Sequence, residues 1–161
     1  MIRPVELTDA PAICKIYNHY IEHTVVSFEE QTVTNEEMER RITTVLTENL
    51  PWLVLEEADA LIGYAYAGNW RERSAYRFSV ESTVYLDVSV TRQGYGTLLY
   101  THLLAELRTR PVHAVMGGIT LPNAASVALH EKCGFVKVAH FPQVGRKFEQ
   151  WLDVGYWQLL L

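Results

Sequence analysis

The sequence is short of the features that staple, tether or export small proteins. It has two cysteines in 161 residues, Cys14 and Cys133. Each sits among apolar helical neighbours with no CxxC or Cys/His spacing, so a disulfide or zinc framework has little support and both read as reduced packing thiols. No stretch approaches the roughly 20 apolar residues that a membrane helix needs. Met1-Ile2-Arg3-Pro4 carries no hydrophobic signal core. These absences predict a cytoplasmic protein with no membrane partner. Positive charge is scarce as well: 14 Lys and Arg face 19 Asp and Glu, for a formal net charge of -5. Phosphate neutralisation needs clustered cations, so a nucleic-acid partner is not expected. There is no GxxxxGK[ST] for a nucleotide triphosphate, and no GxGxxG after the first strand with a ribose-binding acid downstream. No repeat, low-complexity tract or Pro/Gly/Ser linker breaks the chain, so residues 1–161 read as one domain.

What is present is a hydrophobic content of 48%, enough for a core without metal or disulfide. Met1 to Val5 predicts a short strand. Thr8-Asp9 then caps a helix on which Ile13, Ile16, Tyr17, Tyr20 and Ile21 recur at helical spacing. Thr34-Asn35-Glu36-Glu37 is a capping box for a second helix ending near Asn49-Leu50-Pro51. Trp52 to Glu57 and Leu61 to Ala67 predict a hairpin about Ala58-Asp59-Ala60, followed by a longer strand from Tyr76 to Val90. Helices over Thr97 to Arg108 and Ala125 to Lys132 alternate with strands over Ala114 to Leu121, Val136 to Phe141 and Trp151 to Leu161. The order is β-α-α-β-β-β-α-β-α-β-β. It predicts an α/β (α+β) fold in which a mixed sheet of about seven strands is flanked by about four helices.

The segment richest in chemistry is Arg92-Gln93-Gly94-Tyr95-Gly96, between a strand and a helix that continues through Thr97. Glycines there let the backbone approach an anion closely, and the helix start offers free N–H groups backed by the helix dipole. A plain turn uses the same glycines, and the residues alone leave both readings open. With its flanking elements, the run Thr91-Arg92-Gln93-Gly94-Tyr95-Gly96 resembles the pyrophosphate loop of the GCN5-related N-acetyltransferases (GNAT), Q/R-x-x-G-x-G/A. Thr91 departs from the Gln or Arg usual at the first position, which shifts the expected load onto Arg92, Gln93 and the amides. Further stretches are similar to the phosphinothricin and methionine sulfoximine branch of that family: Ile16-Tyr17-Asn18, Val80 to Leu86, Leu121 to Ser126, Leu129-His130-Glu131, Pro142 to Phe148 and Trp151 to Val154.

The resemblance implies a mostly antiparallel twisted sheet, acetyl-CoA as co-substrate without a metal, and an amine acceptor such as phosphinothricin, methionine sulfoximine or methionine sulfone. It implies a homodimer too. Acetyl transfer needs an amine that loses a proton, a polarised thioester carbonyl and a stabilised leaving thiolate. Glu81 matches the general base, although a carboxylate on a strand edge can also simply face solvent. His130 matches the position from which the wider family protonates the thiolate with a Tyr; an idle helix-surface His is the other reading. Val84, Tyr85 and Leu86 match a splayed strand that holds pantetheine through its backbone. Asn123 matches a cofactor contact or serves only as a helix cap.

For the acceptor, Arg71, Glu72 and Arg73 form the one dense charged group ahead of Glu81, and Ser82 and Thr83 follow that residue. Arg grips carboxylates through paired hydrogen bonds, while a solvated loop is the alternative. Val25, Val26, Phe28 and Glu29 are expected to wall the acceptor pocket. A polyamine, aminoglycoside or protein N-terminus as acceptor, and a non-catalytic acyl-CoA sensor, remain as competing readings.

Overall fold

The computed structural model describes residues 1–90 and 93–161. Its elements follow the expected order: β1 Ile2–Pro4, α1 Ala10–His23, α2 Asn35–Thr47, β2 Trp52–Glu57, β3 Ala60–Asn69, β4 Ser79–Leu86, α3 Tyr95–Arg108, β5 Ala114–Leu121, α4 Ala124–Lys132, β6 Val136–Lys147 and β7 Gln150–Leu160. The strands form one seven-stranded sheet ordered β1-β2-β3-β4-β5-β7-β6. Among the described residues its neighbours pair antiparallel except at β4 and β5, which run parallel.

Side-chain alternation along β4 decides what each face does. Tyr85 points to the side where it meets Tyr17 and Tyr20 of α1 and Tyr64 of β3, ring centroids 4.9–5.6 Å apart. Ser82 points to the other, where Tyr100 of α3 meets it. Helices α1 and α2 thus cover one face and α3 the opposite one. Ile13, Ile42, Val54, Leu99, Leu103 and Val115 are wholly buried between them.

Several boundaries differ from the sequence expectation for local reasons. The strand expected over Tyr76 to Val90 is shorter, because Ser74–Tyr76 and Val88–Val90 are 3-10 turns. Asp87 ends it by accepting from the Ser89 backbone N–H and hydroxyl, a side-chain turn that competes with the strand. Conversely, β6 runs past Phe141 to Lys147, because its register shifts between Phe141 and Gly145 and absorbs Pro142 at a sheet edge. Asp9 does not cap α1 through its side chain, since its carboxylate takes two 2.8 Å bonds from Arg3 and one from the Glu6 N–H. Only half of the capping box on α2 forms: Thr34 accepts from the Glu37 N–H, while the Glu37 carboxylate turns to Arg40 and Arg41.

Candidate active site

A groove opens where β4 leaves β5. The two strands pair through Ser79–Ala114, Val80–Val115 and Glu81–Met116. Beyond that point β4 continues only along β3 and β5 only along β7. From Ser82 to Leu86, one backbone edge of β4 has no strand beside it among the described residues. Peptide groups released in this way need other partners. The gap is a cavity of about 440 Å³, bounded by Val84, Tyr85, Gly94, Thr97, Asn123 and Ser126.

Gly94 makes the far wall possible. It stands at the N-terminus of α3 with φ 85°, a left-handed conformation that a side chain resists. Among the described residues, no atom beyond its two chain neighbours lies within 4 Å of where its Cβ would be. The turn therefore presents the unpaired N–H groups of the first helical turn to open space. Gly96 packs toward Leu129, whose side chain would sit 3.4 Å from an added Cβ. Gln93 is exposed. Tyr95 is engaged elsewhere, its hydroxyl donating to the Glu57 carboxylate. Thr91 and Arg92 lie outside the described residues. Asn123 does both things the sequence allowed: its side chain accepts from Ser126 N–H at 3.1 Å as the cap of α4, and it lines the groove.

On the α1–α2 side of the sheet lies a second cavity of about 530 Å³, joined to the groove's lining by Val26. Glu81 and Arg71 are the charged groups on its wall. Arg71 lies 5.1 Å over the ring of Trp70, which meets Tyr156 edge-on. Burial pushes the Glu81 carboxyl above its ordinary range, and the charge of Arg71 pulls it back only in part. Gly118 leaves room for that carboxylate: a Cβ there would stand 3.0 Å from Glu81 Oε1 and 3.1 Å from the Tyr156 ring. The rest of the wall is mostly apolar, with Met116 from β5, Val138 and Phe141 from β6, and Val26 and Phe28 from the α1–α2 loop, beside the hydroxyl-bearing Thr120 and Tyr156.

The expected acceptor residues divide. Arg71 and Glu81 share the cavity, whereas Glu72 and Arg73 line a neighbouring recess with Arg71 and Tyr76. Ser82, expected beside the acceptor, is instead buried on the opposite face, because adjacent strand residues point opposite ways. Thr83 shares the face of Glu81 and is bonded to Tyr66. Val26 and Phe28 form wall as expected, Val25 is not part of it, and Glu29 pairs with Arg41 at 2.8 Å. Trp70, Gly118 and Tyr156 were missed. Strand alternation on β7 could have flagged Tyr156, but nothing local in the sequence joins it to Glu81.

His130 is not on a helix surface; it is 5% exposed and packs edge-on against Tyr100 and Phe135. Its Nδ1 lies 2.7 Å from the Ser126 carbonyl, which assigns the N–H to that nitrogen. Nε2 then accepts from the Tyr100 hydroxyl at 3.1 Å, and that hydroxyl also meets Ser82. Burial lowers the imidazole pKa, offset in part by the bond to Ser126. Gly117 accommodates the ring, since a Cβ there would fall 2.4 Å from Nε2.

Comparison with known proteins gives this arrangement a context. The profile of the family described as "Acetyltransferase (GNAT) domain" matches residues 2–155. A phosphinothricin N-acetyltransferase from Streptomyces viridochromogenes is 42% identical, the match covering 98% of this chain and 85% of that protein. An L-methionine sulfoximine/L-methionine sulfone acetyltransferase from Salmonella typhimurium is 37% identical over 99% of this chain and 94% of its own. An acetyltransferase structure from Salmonella typhimurium, solved with its cofactor acetyl-CoA, superposes with a TM-score of 0.98 at 37% identity, covering 100% of this chain and 93% of that one.

Proposed function

The chain belongs to the GNAT acetyltransferase family and is an N-acetyltransferase; from that premise we propose that it acetylates the amine of a small amino-acid-like acceptor, and favours methionine sulfone and methionine sulfoximine over phosphinothricin. The observation that carries the reading is the presence of Glu81 and Arg71 together on the wall of one mostly apolar cavity beside the β4–β5 gap. A free amino acid brings an ammonium and a carboxylate, and those two charged walls match them. The phosphinate of phosphinothricin adds a second anion for which this wall offers no further cation among the described residues. Arg71 also opposes polycationic acceptors.

The groove's chemistry fits acetyl-CoA. The amides from Gln93 to Thr97 would hold its diphosphate with help from Arg92, and Asn123 with the β4 peptide groups that face the gap, those of Val84 and the Leu86 N–H, would hold its pantetheine arm. When bound it supplies an acetyl thioester. Glu81 takes the ammonium proton at its carboxylate, a task its raised pKa suits because a stronger base is poised nearer neutrality. Arg71 orients the acceptor carboxylate. His130 carries its proton at Nδ1 and accepts at Nε2 from the Tyr100 hydroxyl, so a proton it helps deliver to the leaving thiolate would pass through that hydroxyl.

The β6–β7 edge supports a homodimer. Val138, Phe141, Val144, Phe148 and Trp151 are each at least 46% exposed along a long edge hairpin, the kind of surface that attracts a second strand or face. The acceptor cavity opens onto the same strand, so a second protomer would close its outer side. Free Cys14 and Cys133 and the net negative charge fit a cytoplasmic protein without nucleic-acid or membrane partners. The test is thiol release from acetyl-CoA over a panel of methionine sulfone, methionine sulfoximine, phosphinothricin, free amino acids, polyamines and aminoglycosides. Release that is equal with and without every amine would remove the proposal.

A further inference from the structure

We propose that Lys147 is a positioning residue for the acceptor cavity, its buried ammonium pinning the Val26–Phe28 segment to the β6–β7 hairpin. The proposal rests on the acceptor reading above. Lysine is rarely buried without a partner, yet Lys147 at the end of β6 is only 2% exposed. Its Nζ donates to the Ser27 carbonyl at 2.7 Å, across 120 residues of sequence. Burial lowers its pKa, while the charges of Glu30 and Glu29 act the other way and favour the ammonium form.

The α1–α2 loop, residues 24–34, contains no strand or helix. It is tied to α1 by Tyr17, whose hydroxyl lies 2.9 Å from Ser27 Oγ, and by Asn18, which bonds both backbone groups of Val33. Arg41 of α2 holds Glu29. All of these contacts fasten the loop to the helices. Lys147 fastens it to the sheet edge, and it does so at Ser27, the residue between the two that form cavity wall. A second contact runs in parallel: Gly145 lies so close under Phe28 that an added Cβ would fall 2.2 Å from its ring. Lys147 itself is not part of the wall, so it acts through Val26 and Phe28.

The test compares Lys147→Met, which keeps the apolar stem, and Lys147→Arg, which keeps the charge, by steady-state kinetics with methionine sulfone and acetyl-CoA. K147M is expected to raise acceptor KM about tenfold while acetyl-CoA KM and kcat stay within about threefold. K147R should recover part of the loss. Gly145→Ala, which displaces Phe28 without touching the lysine, should reproduce the same split, and adding Phe28→Leu should relieve it. G145A also decides the matter if K147M does not fold. Unchanged acceptor KM in K147M or G145A, or equal rises for both substrates, overturns the proposal. A wild-type protein with no amine-dependent turnover would instead bring down the acceptor reading itself.

Discussion

The two cavities that meet at Val26 are built from different materials. The groove between β4 and α3 draws its polar groups largely from backbone: a strand edge that has parted from β5 on one side and the N–H groups of a glycine-turned helix on the other. The acceptor cavity is largely side chain, drawn from the α1–α2 loop, the segment after β3, and strands β4 to β7. The difference suits their tasks. One co-substrate is common to a whole family and can be held by groups every residue carries, whereas the acceptor must be told apart by charge and shape. Backbone recognition should tolerate substitution, and side-chain recognition should not.

The sharpest way to break that contrast is to neutralise the carboxylate. Glu81→Gln is expected to lower kcat by roughly 10²-fold or more, the range for losing a positioned base, with little change in acetyl-CoA KM. In the wild type, kcat/KM should climb with pH through a pKa above the ordinary Glu value, and this limb should vanish in E81Q. Stability carries the opposite sign. A carboxyl raised by burial favours the folded state when protonated, so stability is fullest below the unfolded pKa and declines as pH rises through the folded one. E81Q should therefore melt higher than wild type at neutral pH, with the gap closing in acid. A bound or active protein that treats E81Q as wild type would dissolve the assignment.

Arg71→Ala comes next, with acceptor KM rising about 10- to 100-fold, as for loss of a charge-assisted carboxylate contact, and acetyl-CoA KM steady. Arg73→Ala, in the neighbouring recess, should change acceptor KM by less than about threefold. If the two behave alike, the division of that loop between two recesses carries no functional meaning.

How much was legible in the sequence follows the same division. The element order, the Gly94 turn and the β4 segment could be read because each is a local pattern: a period, a left-handed glycine, a run of strand formers. Glu81 and Arg71 were legible because one matches the family's base on a run of strand formers and the other stands in the one dense charged group of the chain. Trp70 against Tyr156, Gly118 under the carboxylate, and Lys147 on Ser27 were not, because each is a meeting of distant segments that only the sheet order β4-β5-β7-β6 creates. Ser82, expected beside the acceptor with Glu81, departs for a related reason: alternation along the strand sends it to Tyr100 on the opposite face. His130 shows the converse. Its position was read from the helix, but its burial depends on Gly117 and Tyr100, which arrive from β5 and α3.

The smallest effects test the backbone half of the contrast. Gly94→Ala has open space around its new methyl group, so its penalty is conformational, about 1 kcal/mol for a left-handed residue. If the turn relaxes to relieve that strain, its amides swing away and acetyl-CoA KM rises about fivefold. Val84→Ala removes two methyl groups from the groove wall but leaves the peptide groups of β4 in place. Because Val84 is half-buried against the core, the loss should appear as about 1 kcal/mol of stability. Acetyl-CoA KM, read by the same thiol-release assay, should move by less than about twofold. A fivefold rise there would mean that the side chain, rather than the strand's exposed edge, holds the cofactor's arm, and the groove would then be as substitution-sensitive as the acceptor cavity beside it.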